Sequence, residues 1–377
     1  MVRNRNIFPF LCAVGLALSA PVTMAEPAVE ISGFFSIIGG KVLDGSLHGP
    51  MPDNEKVTCP CYIADYANFG VYDGAFSFAP ESRIGLQAVA KLTDRLSVTA
   101  QVTARASNPQ AQLQWAYATY VLSPEWDLQV GRKRIPLYFY SDFQDVGVVY
   151  PWVGLPPEIY GWEASNYNGV SVRKRTSVGD VYVNTSVFAG SEQLKDSRYM
   201  QSYGQQRTDI RWDRILGGDV ELTKGALTVR AVAIRADTAF TDKDDAANDF
   251  GERMQAYGIA ANLDLNHWFI LSELASNART NTSGPQTGLT ITVPAVSLGM
   301  GYRSGAWTSF LNYSRYQELS SDATVLPDLD YRHVSLTVKY EVSPRSVIKA
   351  QVDRYWEPEL PYSGAANVLR ISYDRTF

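Results

Sequence analysis

Short stretches of this chain alternate between apolar and polar positions. Near the C-terminus, Leu369, Ile371, Tyr373 and Phe377 take one parity, while Arg370, Ser372, Asp374 and Thr376 take the other. Upstream, Ile348, Ala350 and Val352 alternate with Lys349, Gln351 and Asp353. Val334, Leu336, Val338 and Tyr340 alternate with His333, Ser335, Thr337 and Lys339, and Leu96, Val98, Ala100 and Val102 with Ser97, Thr99, Gln101 and Thr103. A period of two sends each set to its own face of a β-strand.

The strands are joined unequally. Short turns rich in Gly, Pro, Asp, Asn and Ser recur at 92–95, 123–125, 177–180, 223–225, 264–266, 304–306 and 343–345. Longer, more polar connections lie near 43–80, 133–166, 190–212, 239–252, 279–292, 318–330 and 357–366, with a shorter one near 106–111. Seven short turns account for fourteen strands, and the terminal strands bring the number to about sixteen; fourteen or eighteen stay open. A soluble sandwich would alternate as well. Short turns on one side and long loops on the other are the organisation of an outer-membrane barrel. The pattern therefore predicts an all-β fold, a transmembrane antiparallel up-and-down β-barrel, wide enough for an aqueous channel.

The ends and the composition fit that expectation. Arg3 and Arg5 precede an apolar run from Ile7 to Ala20, followed by Thr23 and Ala25, which predicts a secretory signal peptide over 1–25 and a single barrel domain over 26–377. Removing two arginines moves the formal charge from -5 to -7, which argues against nucleic acid as a partner. The 22 Tyr, 15 Phe and 8 Trp, many near segment ends, suit membrane interfaces.

With these features the chain resembles the Gram-negative general porin superfamily, through its leader, its sixteen-strand rhythm, its terminal Phe377 and a long third loop entered through Val130-Gly131-Arg132-Lys133-Arg134. The resemblance implies a passive channel in the outer membrane of a Gram-negative bacterium, passing small hydrophilic solutes or ions without a cofactor. It implies a homotrimer surrounded by lipid and lipopolysaccharide. Phe377 would be the signal read by the assembly machinery, or would simply end a lipid-facing row with Tyr373 and Ile371.

The third loop, 134–166, would fold inward as a constriction. It is too rich in Tyr, Trp, Phe, Val and Leu for a free surface loop. Its acids Asp142, Asp145, Glu158 and Glu163 would face a basic wall drawn from Arg83, Arg95, Arg105, Arg132, Lys133, Arg173, Arg175, Lys349 and Arg370, setting a transverse field that sorts solutes by charge. Alternatively these charges pair with one another or lie at the rims. Neither a lysine run for a phosphate-selective pore nor an aromatic sugar path is evident, so the solute stays open.

Other motifs point elsewhere. Cys59-Pro60-Cys61 reads as a loop-tip disulfide, a pair of free thiols or, with His48 and nearby acids, a metal site short of ligands. The stretch 242–249, DKDDAAND, lacks the glycine and distal glutamate of a calcium loop. Hydrolysis would need a histidine beside serine and acid. Only His333 lies on a strand with such neighbours, so no enzyme and no metal are expected. The competing functional reading is a closed structural or adhesive barrel that binds an outside partner through its loops.

Overall fold

A computed structural model describes residues 28–46, 48–51, 54–200, 207–356 and 364–377. The expected leader, and parts of the loops near 190–212 and 357–366, lie outside them. The first strand, β1 (Ala28–Gly45), leads into a loop carrying β2 (Gly49–Met51), β3 (Asn54–Cys59), β4 (Tyr62–Asp65) and β5 (Gly70–Tyr72). There follow β6 (Arg83–Lys91), β7 (Leu96–Arg105), β8 (Asn108–Val121), β9 (Trp126–Arg134), β10 (Asn166–Val178), β11 (Val181–Leu194), β12 (Thr208–Lys224) and β13 (Leu227–Asp242). The chain ends with β14 (Phe250–Leu265), β15 (Trp268–Ser283), β16 (Thr290–Ser304), β17 (Trp307–Ser320), β18 (Leu329–Ser343), β19 (Ser346–Trp356) and β20 (Ala365–Thr376).

Strand β1 pairs with both β6 and β20, so it and β6–β20 form one closed antiparallel barrel of sixteen strands. Closure pairs every backbone edge, which hydrocarbon demands because it offers no hydrogen bonds. All seven short turns fall where the sequence puts them. Gly179 (φ 60°) and Asn266 (φ 58°) occupy the left-handed region those reversals need. The strands run further into the loops than expected: β7 and β8 are separated only by Ala106 and Ser107. The short strands β2–β5 were not foreseen.

The alternation resolves into an outside and an inside. Val98, Leu336, Ile348, Val352 and Ile371 are exposed on the outer face, while Thr99, Gln101, Ser335, Gln351 and Arg370 are buried within the lumen. Near the short-turn end, exposed aromatics stack across strands, Trp268 on Tyr302 (4.7 Å) and Trp307 on Tyr340 (4.6 Å). Amphipathic rings collected at one height are the mark of a membrane interface.

One part of the lumen breaks the pattern. On β11–β14 a block of inward residues is apolar, among them Phe188, Ile210, Trp212, Ile234 and Met254, and all five are buried. Something must cover them.

The third loop as candidate functional site

The cover is residues 134–166. Ile135, Leu137, Tyr138, Ile159 and Ala164 pack against that apolar wall, and Trp162 lies against Trp212 with ring centroids 5.7 Å apart. A second cluster joins Tyr140, Tyr150, Trp152 and Leu155 to Phe269 and Phe310, with Trp152 edge-on to Phe310 at 4.9 Å. Pro156 and Pro157 start the single turn α1 (Pro157–Tyr160), whose amides at Ile159 and Tyr160 bond the Pro156 carbonyl. The loop gives up solvent on nearly every side, which explains its composition.

Polar anchors fix it to strands around the barrel. Lys349 donates to the carbonyls of Gly147 and Trp152, both at 2.6 Å. The Val153 amide donates to Gln351 (2.8 Å) and the Phe139 amide to Glu273 (2.9 Å), while Arg230 reaches the carbonyls of Pro136 (2.9 Å) and Tyr138 (3.1 Å). Arg83 donates to the Asp145 carbonyl at 2.9 Å. Anchors thus reach from β6 round to β19.

Three of the four expected acids are held in ion pairs. Asp145 is bound by Arg105 and Arg134, with Arg83 at 4.0 Å. Burial alone would raise its carboxyl, but the three guanidinium charges outweigh that and hold it well below the ordinary carboxylate range. Glu163 bonds Arg279 at 2.7 Å. Glu158 accepts from Ser314 (2.8 Å) and contacts His333 Nδ1 (3.1 Å). Burial again opposes its ionisation, and the His333 charge and hydrogen bond hold it low. Only Asp142 is exposed, without an ion pair among the described residues.

The basic residues divide in the same way. Lys349 and Arg370 are fully buried, Lys349 beside Asp374 (3.3 Å) and Arg370 between Asp353 (2.9 Å) and Glu81 (3.0 Å). Arg173 and Arg175 share Asp127, at 2.9 Å and 3.0 Å, and Arg132 pairs with Glu192. Arg95 is exposed in a short turn and so is not a wall residue; parity ran one position past the strand. Lys133 bonds Ser171 at 3.0 Å, over the Tyr117 ring.

Above the Asp145 cluster opens a cavity of about 960 Å³, lined among others by Asn68, Arg105, Gln112, Arg132, Tyr138 and Glu192. Arg134, Arg230, Glu273, Arg279 and Asp353 matter here, yet sequence reasoning gave none of them a role. Parity marks them as inward, but it does not show which loop groups Arg134, Arg230, Glu273 and Arg279 hold, or that Asp353 sits between Arg370 and His333.

His333 does not form a catalytic pair with a serine. Its Nδ1 is taken by Glu158 and its Nε2 by Asp353 (2.8 Å), which leaves no ring nitrogen for a hydroxyl. Among the described residues no cluster of three or more His, Cys, Asp or Glu could hold a metal, and Cys59 and Cys61 are disulfide-bonded.

A closed sixteen-stranded barrel with an apolar exterior, a polar lumen and a loop folded across that lumen defines an outer-membrane channel. A family model described as Gram-negative porin matches residues 12–357, and the chain belongs to that family. The fold is shared with the anion-selective porin from Comamonas acidovorans, at 13% identity and TM-score 0.59, covering 93% of this chain and 100% of that one. It is shared with the outer membrane channel DcaP of Acinetobacter baumannii, at 12% identity and TM-score 0.59, covering 93% and 97%. The trimer form of OmpT, an outer membrane protein of Vibrio cholerae, aligns at 11% identity and TM-score 0.56, covering 93% and 99%. A comparison with curated protein sequences finds no match.

Proposed function

We propose that the protein is a passive diffusion channel for small hydrophilic solutes or ions, with residues 134–166 as its constriction. The observation that carries this reading is the span of the loop's anchors, from Arg83 on one side of the lumen to Glu273 and Gln351 on the others. A segment tied to that many strands narrows whatever path is left. Asp142, the one exposed acid of the loop, together with Arg105, Arg132 and Glu192 in the cavity lining, gives that path a mixed field that sets its selectivity. The other loop acids serve as anchors.

The remaining expectations belong to the same reading. Residues 1–25 are removed on export, Phe377 is the assembly signal, and the channel works as a homotrimer, as the trimer form of the similarly folded Vibrio cholerae OmpT supports. Single-channel recording in planar bilayers tests the proposal. Discrete conductance steps from refolded protein are expected, and stable silence would sink it.

The complete burial of Lys349, Arg370 and Val153 favours a second reading, a barrel closed at rest. Deleting residues 138–160 separates the two. A working channel goes from small to larger, less selective steps, whereas a closed barrel goes from silent to leaky.

A further inference from the structure

The cavity above the Asp145 cluster is lined by carboxamides and by rings. Asn68, Gln110, Gln112, Gln114, Gln144 and Asn166 supply the amides, and Tyr66, Tyr138, Tyr160 and Trp162 the rings. The rings come from two loops that meet. Tyr66 of the first long loop reaches over Gly161 of the third, where an added Cβ would stand 3.0 Å from the Tyr66 ring. Trp162 sits edge-on to Tyr138 at 6.0 Å and is backed by Trp212. Tyr66, Tyr160 and Trp162 are only half-buried, which leaves ring surface for a ligand.

The amides form a chain. Gln114 Nε2 donates to Thr103 Oγ1 (2.9 Å) and to Gln112 Oε1 (3.1 Å), and Gln112 Nε2 donates to Asn68 Oδ1 (3.3 Å). The β7–β8 register skips Gln114, the extra residue of a bulge between the pairs Gln101–Trp115 and Val102–Leu113. Two atoms of the lining residues are buried without a hydrogen-bond partner among the described residues: the acceptor Gln114 Oε1 and the donor Arg105 Nε.

Every carboxylate of the lining already has a cationic partner. Asp65 and Asp145 pair with Arg105, Glu81 with Arg370, Glu163 with Arg279, Glu192 with Arg132 and Asp196 with Lys243. Lys195 and Arg198 lie past the end of β11, and Arg198 donates to the Asn68 carbonyl at 3.0 Å. A charged ligand that opened one of the buried pairs would leave a charge alone in the lining.

The two orphaned atoms point the same way. A carboxylate only accepts hydrogen bonds and an ammonium only donates them, so neither satisfies both Gln114 Oε1 and Arg105 Nε. A hydroxyl does both. Neighbouring hydroxyls also match a carboxamide, which presents a donor and an acceptor side by side, and the C–H face of a pyranose ring packs on Tyr and Trp. At about 960 Å³ the cavity stands at the upper end of the roughly 300–1,000 Å³ of small-molecule sites, with room for more than one sugar ring.

We infer that this cavity binds a short neutral oligosaccharide, of two or three pyranose units, on its way into the barrel. That names the solute class of the proposed channel and rests on the channel reading.

The test is isothermal titration calorimetry of refolded, detergent-solubilised protein with maltotriose, cellotriose and triacetylchitotriose, and with the charged trigalacturonate. At least one neutral trisaccharide should bind saturably, at millimolar concentration or below, and at least about tenfold more tightly than trigalacturonate. Gln112→Leu with Gln114→Leu should weaken that binding about tenfold or more, and Tyr66→Ala, which leaves the barrel strands untouched, should do the same. Gln87→Leu, which removes a lumen carboxamide paired with Gln101 outside the cavity, should not. Strand circular dichroism verifies the folding of each variant. Absence of neutral binding, equal or tighter binding of trigalacturonate, unchanged affinity in either site variant, or an equal loss in Gln87→Leu overturns the proposal. Calorimetry needs no open path. Protein that conducts but binds no sugar fails here alone, and protein that binds sugar but stays silent in bilayers fails the channel reading alone.

Discussion

Phe377 and Gly33 exchange a pair of backbone hydrogen bonds, each 2.9 Å, so the last residue of the chain closes the barrel against the first strand. The Phe377 ring lies over Gly33, where an added Cβ would fall 2.5 Å from it and 2.9 Å from the Gly85 carbonyl. Gly33→Val should therefore destabilise the seam by about 1–3 kcal/mol. Urea titration of refolded protein, followed by heat-dependent gel mobility, checks this. An unchanged midpoint would show that the seam tolerates bulk.

Among the described residues, Asp145 is the only carboxylate within 4.0 Å of Arg134. Asp145→Asn leaves Arg83, Arg105 and Arg134 facing one another in a buried site, a loss on the order of 3–5 kcal/mol at the loop anchor. Larger, noisier single-channel steps are expected while the barrel stays folded. Quiet, wild-type steps would mean that the loop is held by its apolar face alone.

Asp142→Asn should shift selectivity toward anions. At an effective dielectric of about 40, a unit charge about 7 Å from the path is worth about 1 kcal/mol, roughly fivefold in the cation-to-anion ratio. Reversal potential in a salt gradient measures it. A shift toward cations would place the path elsewhere in the lumen.

Acid should loosen the loop, but only strong acid. The Glu158 and Asp145 carboxyls lie below their ordinary values in the folded chain, so their stabilisation is complete above that range and fades as pH falls through the lowered values. Conductance should stay flat above about pH 5 and rise below about pH 4. A rise already near neutral pH would point to a different titrating group.

The barrel was legible because alternation and turn chemistry are local: Leu369 and Arg370 declare their faces to any reader of the sequence. The loop's charges were not legible in the same way. Parity says that Arg83 and Lys349 point inward, but it gives neither their height nor their partners, so a field across the pore and a set of anchors look alike. The apolar lumen wall at Phe188 and Trp212 hid for the opposite reason. Parity reading assigns apolar positions to lipid, and here a block of inward positions on β11–β14 is apolar because the loop covers it.

A tube of sheet resists flattening poorly on its own, since its strands can shear and its section can become oval. With Arg83, Arg230, Glu273, Gln351 and Lys349 gripping one segment from different sides, the third loop acts as a strut across the section. With the loop as the proposed constriction, the lateral pressure of the membrane falls on the same bonds that would set the width of the opening, so the bilayer's mechanical state and the channel's throughput would be tied together.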